Sequence, residues 1–172
     1  NTLQFNQQSE HWVDVAHFLQ QSPVHASKDA QALQPAVVEQ LRQAIALYSG
    51  PLLPGFFLDG CAEFEEWLLL TRERLHRQGL TILQHLVDYY EGCQDYEQAQ
   101  QLAWRRVELE PTLEEAHRQV MRYLALTGQR SAALAHYEQC RQVLAKELGV
   151  EPATATKLLY QQIHDGTLVA PV

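Results

Sequence analysis

"CQDYEQAQQLA" (Cys93–Ala103) and "TGQRSAALAHY" (Thr127–Tyr137) lie 34 residues apart. Each begins with a polar turn and runs into a helix rich in small residues. Each places alanine at its seventh position, Ala99 and Ala133. An alanine at a fixed point of two successive helices marks a place where helices approach closely, because a larger side chain there would push them apart.

Helical periodicity extends outward from this pair. Asp14 opens a short helix through Gln21 carrying Val15, Phe18 and Leu19. Residues 22–34 read as a loop. Pro35 suits the first turn of a helix with Val38, Leu41, Ile45 and Tyr48 on one face. "SGPLLPGFF" (49–57) ends that helix with two glycines and two prolines. A long stripe follows over about 63–91, with Phe64, Trp67, Leu68, Leu75, Ile82, Leu86, Val87 and Tyr90. Gly79 is its one weak helix former, and Glu63, Glu65 and Glu66 favour the positive end of its dipole. Further helices are expected at 95–109, 112–127 and 130–148, the last stopped by Gly149. A final helix carries Leu158, Leu159 and Ile163 and ends near Gly166. Only residues 1–6, "NTLQFN", alternate as a strand would.

A 34-residue helix–turn–helix period is the tetratricopeptide (TPR) signature. Anchoring its template on Pro111 places Leu86, Tyr90, Ala99 and Pro111 on matching positions. One period later Ala133 and Tyr137 fit, while Ala145 stands where the closing proline would be. The fold expected is therefore all-α, with TPR-like antiparallel helix pairs in an α-solenoid or right-handed superhelix.

Composition removes several function classes. The 172 residues are 46% hydrophobic and 20% charged, as in a globular chain. No apolar run approaches the roughly 20 residues that span a bilayer. Thirteen basic against 21 acidic residues give a formal net charge of −8, which repels nucleic acid. The three cysteines have no CxxC or CxxH spacing and read as free thiols of a reducing cytosol. The eight histidines form no HxxxH or HxH pair, so no metal site is expected. No phosphate-binding, dinucleotide-binding or nucleophile-elbow motif occurs, and no cofactor or catalytic residue is assigned.

A more specific likeness rests on "LYSGPLLPGFF" (47–57), "FEEWLLLTRERL" (64–75), the repeat region 95–152 and "TKLLYQQI" (156–163). These resemble the bacterial transcriptional activator domain of SARP-type regulators. The C-terminal part is the most specific, with Met121, Tyr123, Gly128, Ala133, Leu134, Tyr137, Leu144, Glu147, Leu148, Gly149 and Pro152 in the family's habit, and Val120 where leucine is usual. "NTLQFN" resembles the last wing strand of an upstream winged-helix domain. The expected organisation is a remnant of that domain or linker over 1–11, the TPR-like activator domain over 12–166, and a tail over 167–172.

The resemblance implies a non-catalytic, cytoplasmic regulatory domain. Its implied partners are proteins: RNA polymerase, a second copy or a neighbouring domain. DNA contact would run only through the winged helix upstream of Asn1, and no membrane is involved. An alternative is an effector- or peptide-sensing TPR-like module of a larger ATPase- or cyclase-type signalling regulator.

Two candidate partner sites follow. TPR template positions facing the groove are Thr81, Gln84, Asp88, Glu115, Arg118 and Arg122. Arg118 and Arg122, four apart, would clamp an acidic peptide or carboxylate, or would pair with Glu114 and Glu115 on a wet surface. Arg72, Arg74, Arg77, Arg105 and Arg106 read as solvated helix faces, the alternative being an approach to DNA phosphate beside the winged helix, and Phe64, Trp67, Tyr89 and Tyr90 of the long helix and Trp104 of the next read as core. Phe56 and Phe57 follow a Pro-Gly turn that no helical period explains. They either plug the bundle end or form a docking loop.

Overall fold

Ala99, Ala103, Ala116 and Ala133 are all completely buried, and they set how closely the C-terminal helices approach. The computed structural model describes residues 10–21 and 33–169. Among these residues there are seven helices and no strand: α1 (Asp14–Gln21), α2 (Pro35–Leu47), α3 (Ala62–Gly92), α4 (Tyr96–Leu109), α5 (Glu114–Leu126), α6 (Arg130–Glu147) and α7 (Thr154–Asp165). The strand expected at 1–6 lies outside the described residues, as does most of the loop expected at 22–34.

Each helix packs on the next in sequence, and α7 also returns to pack on α5. From α3 onward short turns enforce this order. Asp95 accepts from the Gln98 N–H at 3.2 Å and caps α4. Gly149, at φ 68°, takes the left-handed conformation that stops α6.

Two hydrophobic clusters share the long α3. The first joins Phe18, Val38, Leu41, Ile45 and Tyr48 to Leu75, Ile82, Leu83 and Leu86 of α3. The second gathers Val87 of α3 with Ala99, Ala103, Val120, Met121, Tyr123, Ala133, Tyr137, Leu159 and Ile163. Gly79 has a packing reason. A Cβ there would stand 2.9 Å from Cδ1 of the Tyr48 ring, which lies directly on the helix backbone. Leu158, expected on the buried face of the last helix, is instead 52% exposed; Leu159 and Ile163 face inward, one and five positions on.

Arginines tie the first unit together. Arg105 donates to the carbonyls of Ile45 (2.7 Å) and Tyr48 (2.6 Å), a cation at the negative end of α2. Arg72 donates from Nε to the Leu52 carbonyl at 2.7 Å, and through its guanidinium to Leu53, whose φ is 48°. These two are anchors rather than the solvated groups expected.

His117 and His136 are buried together between α5 and α6. His117 Nε2 lies 2.8 Å from the Pro111 carbonyl, which only accepts, so this nitrogen carries the proton. In neutral rings His117 Nδ1 then accepts from His136 Nε2, 3.0 Å away, which leaves His136 Nδ1 an acceptor and requires the Gln139 amide, 3.1 Å from it, to turn its NH2 inward. A second proton on both rings would set two donors against each other. Burial lowers both pKa values, that of His136 to about 4, outweighing the upward pull of its Gln139 contact.

The unfolded chain, with histidine near its ordinary ~6.5, therefore binds more protons between that pH and about 4. Stability is full above the unfolded value and falls with pH through this window, by on the order of 2–3 kcal/mol. Urea unfolding of the wild type from pH 7.5 to 4.5 is expected to show that decline. His136→Gln, which keeps a donor but does not titrate, should have a visibly shallower slope. Equal slopes would place the proton linkage elsewhere.

Candidate protein-interaction site

The template groove runs where α3, α4 and α5 meet, and it is filled by a polar network. Gln84 donates to the Asp88 carboxylate one turn on. The Gln84 carbonyl oxygen accepts from Gln119 Nε2 at 3.4 Å. The Gln119 oxygen in turn accepts from Arg106, whose guanidinium lies 3.6 Å from Glu115. Arg106 is only 4% exposed. Burial lowers its pKa, against the opposing pull of Glu115 and Asp88. Burial raises that of Asp88, against the hydrogen bond from Gln84. The Arg106 Nε is buried without a hydrogen-bond partner.

Arg106 was not among the groove residues expected from sequence. It lies seven positions after Ala99 and three after Ala103, so the face of α4 that buries two alanines also buries this cation. That spacing was the available signal, and the expectation of a solvated guanidinium is corrected by it.

Arg118 and Arg122 turn to different neighbours. Arg122 pairs with Glu91 of α3 at 3.2 Å, and Glu91 also accepts from the Tyr123 hydroxyl at 2.8 Å. Arg118 donates to the Thr156 hydroxyl of α7 at 3.1 Å. Thr156 donates onward to Glu114 at 2.6 Å, and the same carboxylate oxygen accepts from the Ala153 N–H at 2.9 Å, capping α7. Neither glutamate makes the surface pair with Arg118 or Arg122 weighed from sequence. Thr81 is exposed and donates back to the Arg77 carbonyl of its own helix at 2.9 Å. The structure thus brings Gln84, Asp88 and Glu115 together through Arg106 and Gln119. It sends Arg118 to α7 and Arg122 to the end of α3.

The loop between α2 and α3 is different in character. Phe56 is 49% and Phe57 67% exposed, so neither plugs the bundle. Arg72 holds the loop carbonyls, and Glu65 accepts from the Leu58 N–H at 2.6 Å. Phe56 meets Phe64 edge-on at 5.8 Å, and Phe64 lies 5.6 Å from Trp67. Trp67, expected in the core, is 52% exposed, whereas Trp104 packs on His136. The result is an aromatic shelf running from the loop onto the first turns of α3.

Among the described residues no group of three or more His, Cys, Asp or Glu side chains is placed to hold a metal ion. No helix among them is long and apolar enough to cross a membrane.

A helical chain of this order matches a known family over residues 13–164: the bacterial transcriptional activator domain. The chain belongs to this family. It is a family of transcription regulation rather than of catalysis. No curated protein matches the chain.

The polar network of this activator domain makes a measurable prediction. Arg106→Met and Gln119→Leu should each destabilise by about 1–3 kcal/mol, since each orphans a buried partner. The double variant should cost less than the sum by at least ~1 kcal/mol, because the second substitution removes the group that the first left unpaired. Urea unfolding of the four proteins checks this; strict additivity would mean that the two side chains act independently.

Proposed function

We propose that this activator domain is the non-catalytic regulatory and protein-interaction unit of a bacterial DNA-binding transcriptional regulator of the SARP type. It works in the cytoplasm, and its partners are RNA polymerase, a second copy or a neighbouring winged-helix domain. The family match over residues 13–164 carries this reading. The formal charge of −8 supports it from the physical side, since an acidic chain gains little from DNA phosphate and more from protein surfaces.

The helices are best understood as TPR-like antiparallel pairs, α3 with α4 and α5 with α6. Three supports converge: the 34-residue spacing of Ala99 and Ala133, the complete burial of both, and the packing of each helix on the next. The domain unit proposed is 12–166, with 1–11 as linker or wing remnant and 167–172 as tail. Partner contact is assigned to the Phe56/Phe57 loop ahead of the groove positions. Arg72 and Glu65 hold the loop backbone on either side of these aromatics, so less chain entropy is lost on docking. The effector-sensing alternative lacks its carboxylate clamp, because Arg118 and Arg122 are engaged within the chain.

Capture of RNA polymerase holoenzyme by the immobilised chain, in moderate salt and without DNA, tests the proposal. Saturable capture is expected, weakened at least ~10-fold by Phe56→Ser with Phe57→Ser, and little changed by Arg118→Ala. A specific promoter complex formed by this chain alone would overturn the reading.

A further inference from the structure

The first half of α3 carries a second surface, which meets the aromatic shelf at Trp67. Taking 100° per residue, Glu63, Glu66, Trp67, Leu70, Arg74 and Arg77 fall on one stripe. All six are exposed, Leu70 at 62%. Leu68, Leu75 and Gly79 bury the opposite side of the helix. The stripe is acidic at its start, apolar in the middle and basic at its end, with the exposed Glu73 on the edge opposite Trp67.

That order is self-complementary. Glu63 and Arg77 stand seven residues either side of Leu70, and Glu66 and Arg74 stand four either side. When the stripe meets an antiparallel copy of itself, Leu70 faces Leu70 of the second copy. Glu63 then faces Arg77 of the second copy, Glu66 faces its Arg74, and the two-fold axis repeats each pair. Trp67 flanks the axis and supplies the large apolar side chain that anchors an interface. Among the described residues Arg77 pairs with Glu73 at 3.7 Å, an exposed pair that contributes little and is readily exchanged.

We infer that the exposed stripe Glu63–Arg77 of α3 is a homodimerisation surface, on which two copies of this chain pair antiparallel about Leu70 with acidic and basic ends matched. The inference rests on the interaction-module reading and names one partner for it, a second copy. Its axis lies on a face of α3 beside the one that carries the Phe56/Phe57 loop, and Trp67, in ring contact with Phe64, borders both.

Charge exchange tests it. Two variants of the 172-residue chain are needed: Glu63→Arg with Glu66→Arg, and Arg74→Glu with Arg77→Glu. Each sets like charges against each other at both facing pairs of a homodimer, and their mixture restores every opposite pair. Sedimentation velocity is expected to show reversible self-association of the wild type that weakens from 50 to 500 mM salt. Each variant alone should associate at least ~10-fold more weakly, with a heterodimer forming when the two are mixed in equal amounts. Leu70→Asp, placing two carboxylates on the axis, should also be monomeric. Circular dichroism of every variant should match the wild type, since no buried side chain is changed.

A monomeric wild type overturns the inference. So does a wild-type dimer that survives both charge variants, which places the interface elsewhere, or a mixture that fails to associate. Polymerase is absent from this experiment, so such a failure leaves the capture result standing. Conversely, a chain that dimerises but captures no polymerase keeps the surface and removes that partner.

Discussion

A guanidinium buried under α5 is the constraint on which the C-terminal arrangement depends. Arg106 stands on the same face of α4 as Ala99 and Ala103, so the close approach that the alanines permit also takes the cation out of water. The desolvation cost is offset only where acceptors meet it with good geometry. Those acceptors come from another helix: the Gln119 oxygen and the Glu115 carboxylate of α5. Once α5 is turned to present them, its remaining polar side chains are committed as well. Arg122 reaches Glu91, Tyr123 reaches the same carboxylate, and Glu114 and Arg118 meet Thr156 of α7. One rotational setting of α5 thus locates α3 on one side and α7 on the other.

The long helix α3 joins the two hydrophobic clusters, and its two halves meet different surroundings. Gly79, under the Tyr48 ring, marks the change. Beyond it the face that continues from Leu70 and Arg77 carries Gln84 and Glu91, which reach side chains of α5. Before it the same face stays exposed, with Trp67 and Leu70 outward. A strict seven-residue spacing, Glu63, Leu70, Arg77, Gln84, Glu91, runs through both halves. Its later members, Gln84 and Glu91, bond to α5, whereas Glu63, Leu70 and Arg77 face solvent.

Periodicity made the helices legible because burial on one side of a helix leaves a local trace. Val38, Leu41, Ile45 and Tyr48 are buried as their spacing requires, and Gly149 and Gly166 end their helices in the left-handed conformation. What remained hidden depends on partners far away in sequence. The destination of Arg118 is Thr156, 38 residues on, and that of Arg122 is Glu91, 31 residues back. A repeat template tells which way a side chain points but not what stands opposite it. Trp67 was misread for the same reason: its position satisfies a helical period, while the solvent on that side is a property of where the next helix ends.

These placements decide which surface is energetically suited to a partner. In the groove nearly every polar group is already paired within the chain, so a ligand entering it must break the bonds of Gln84, Gln119 or Arg122 before making its own. Each such exchange starts from a deficit of about 1–3 kcal/mol if the displaced group is left unsatisfied. The outer face of α3 and its preceding loop carry no such debt. Covering Phe57, Trp67 or Leu70 removes apolar area from water at roughly 25 cal/mol per Å², and the side chains around them are exposed charges that keep water or exchange it for an opposite charge. The groove therefore behaves as a joint that fixes the relative positions of helices. The outer face of α3 and its preceding loop are where apolar side chains can be covered without breaking such bonds.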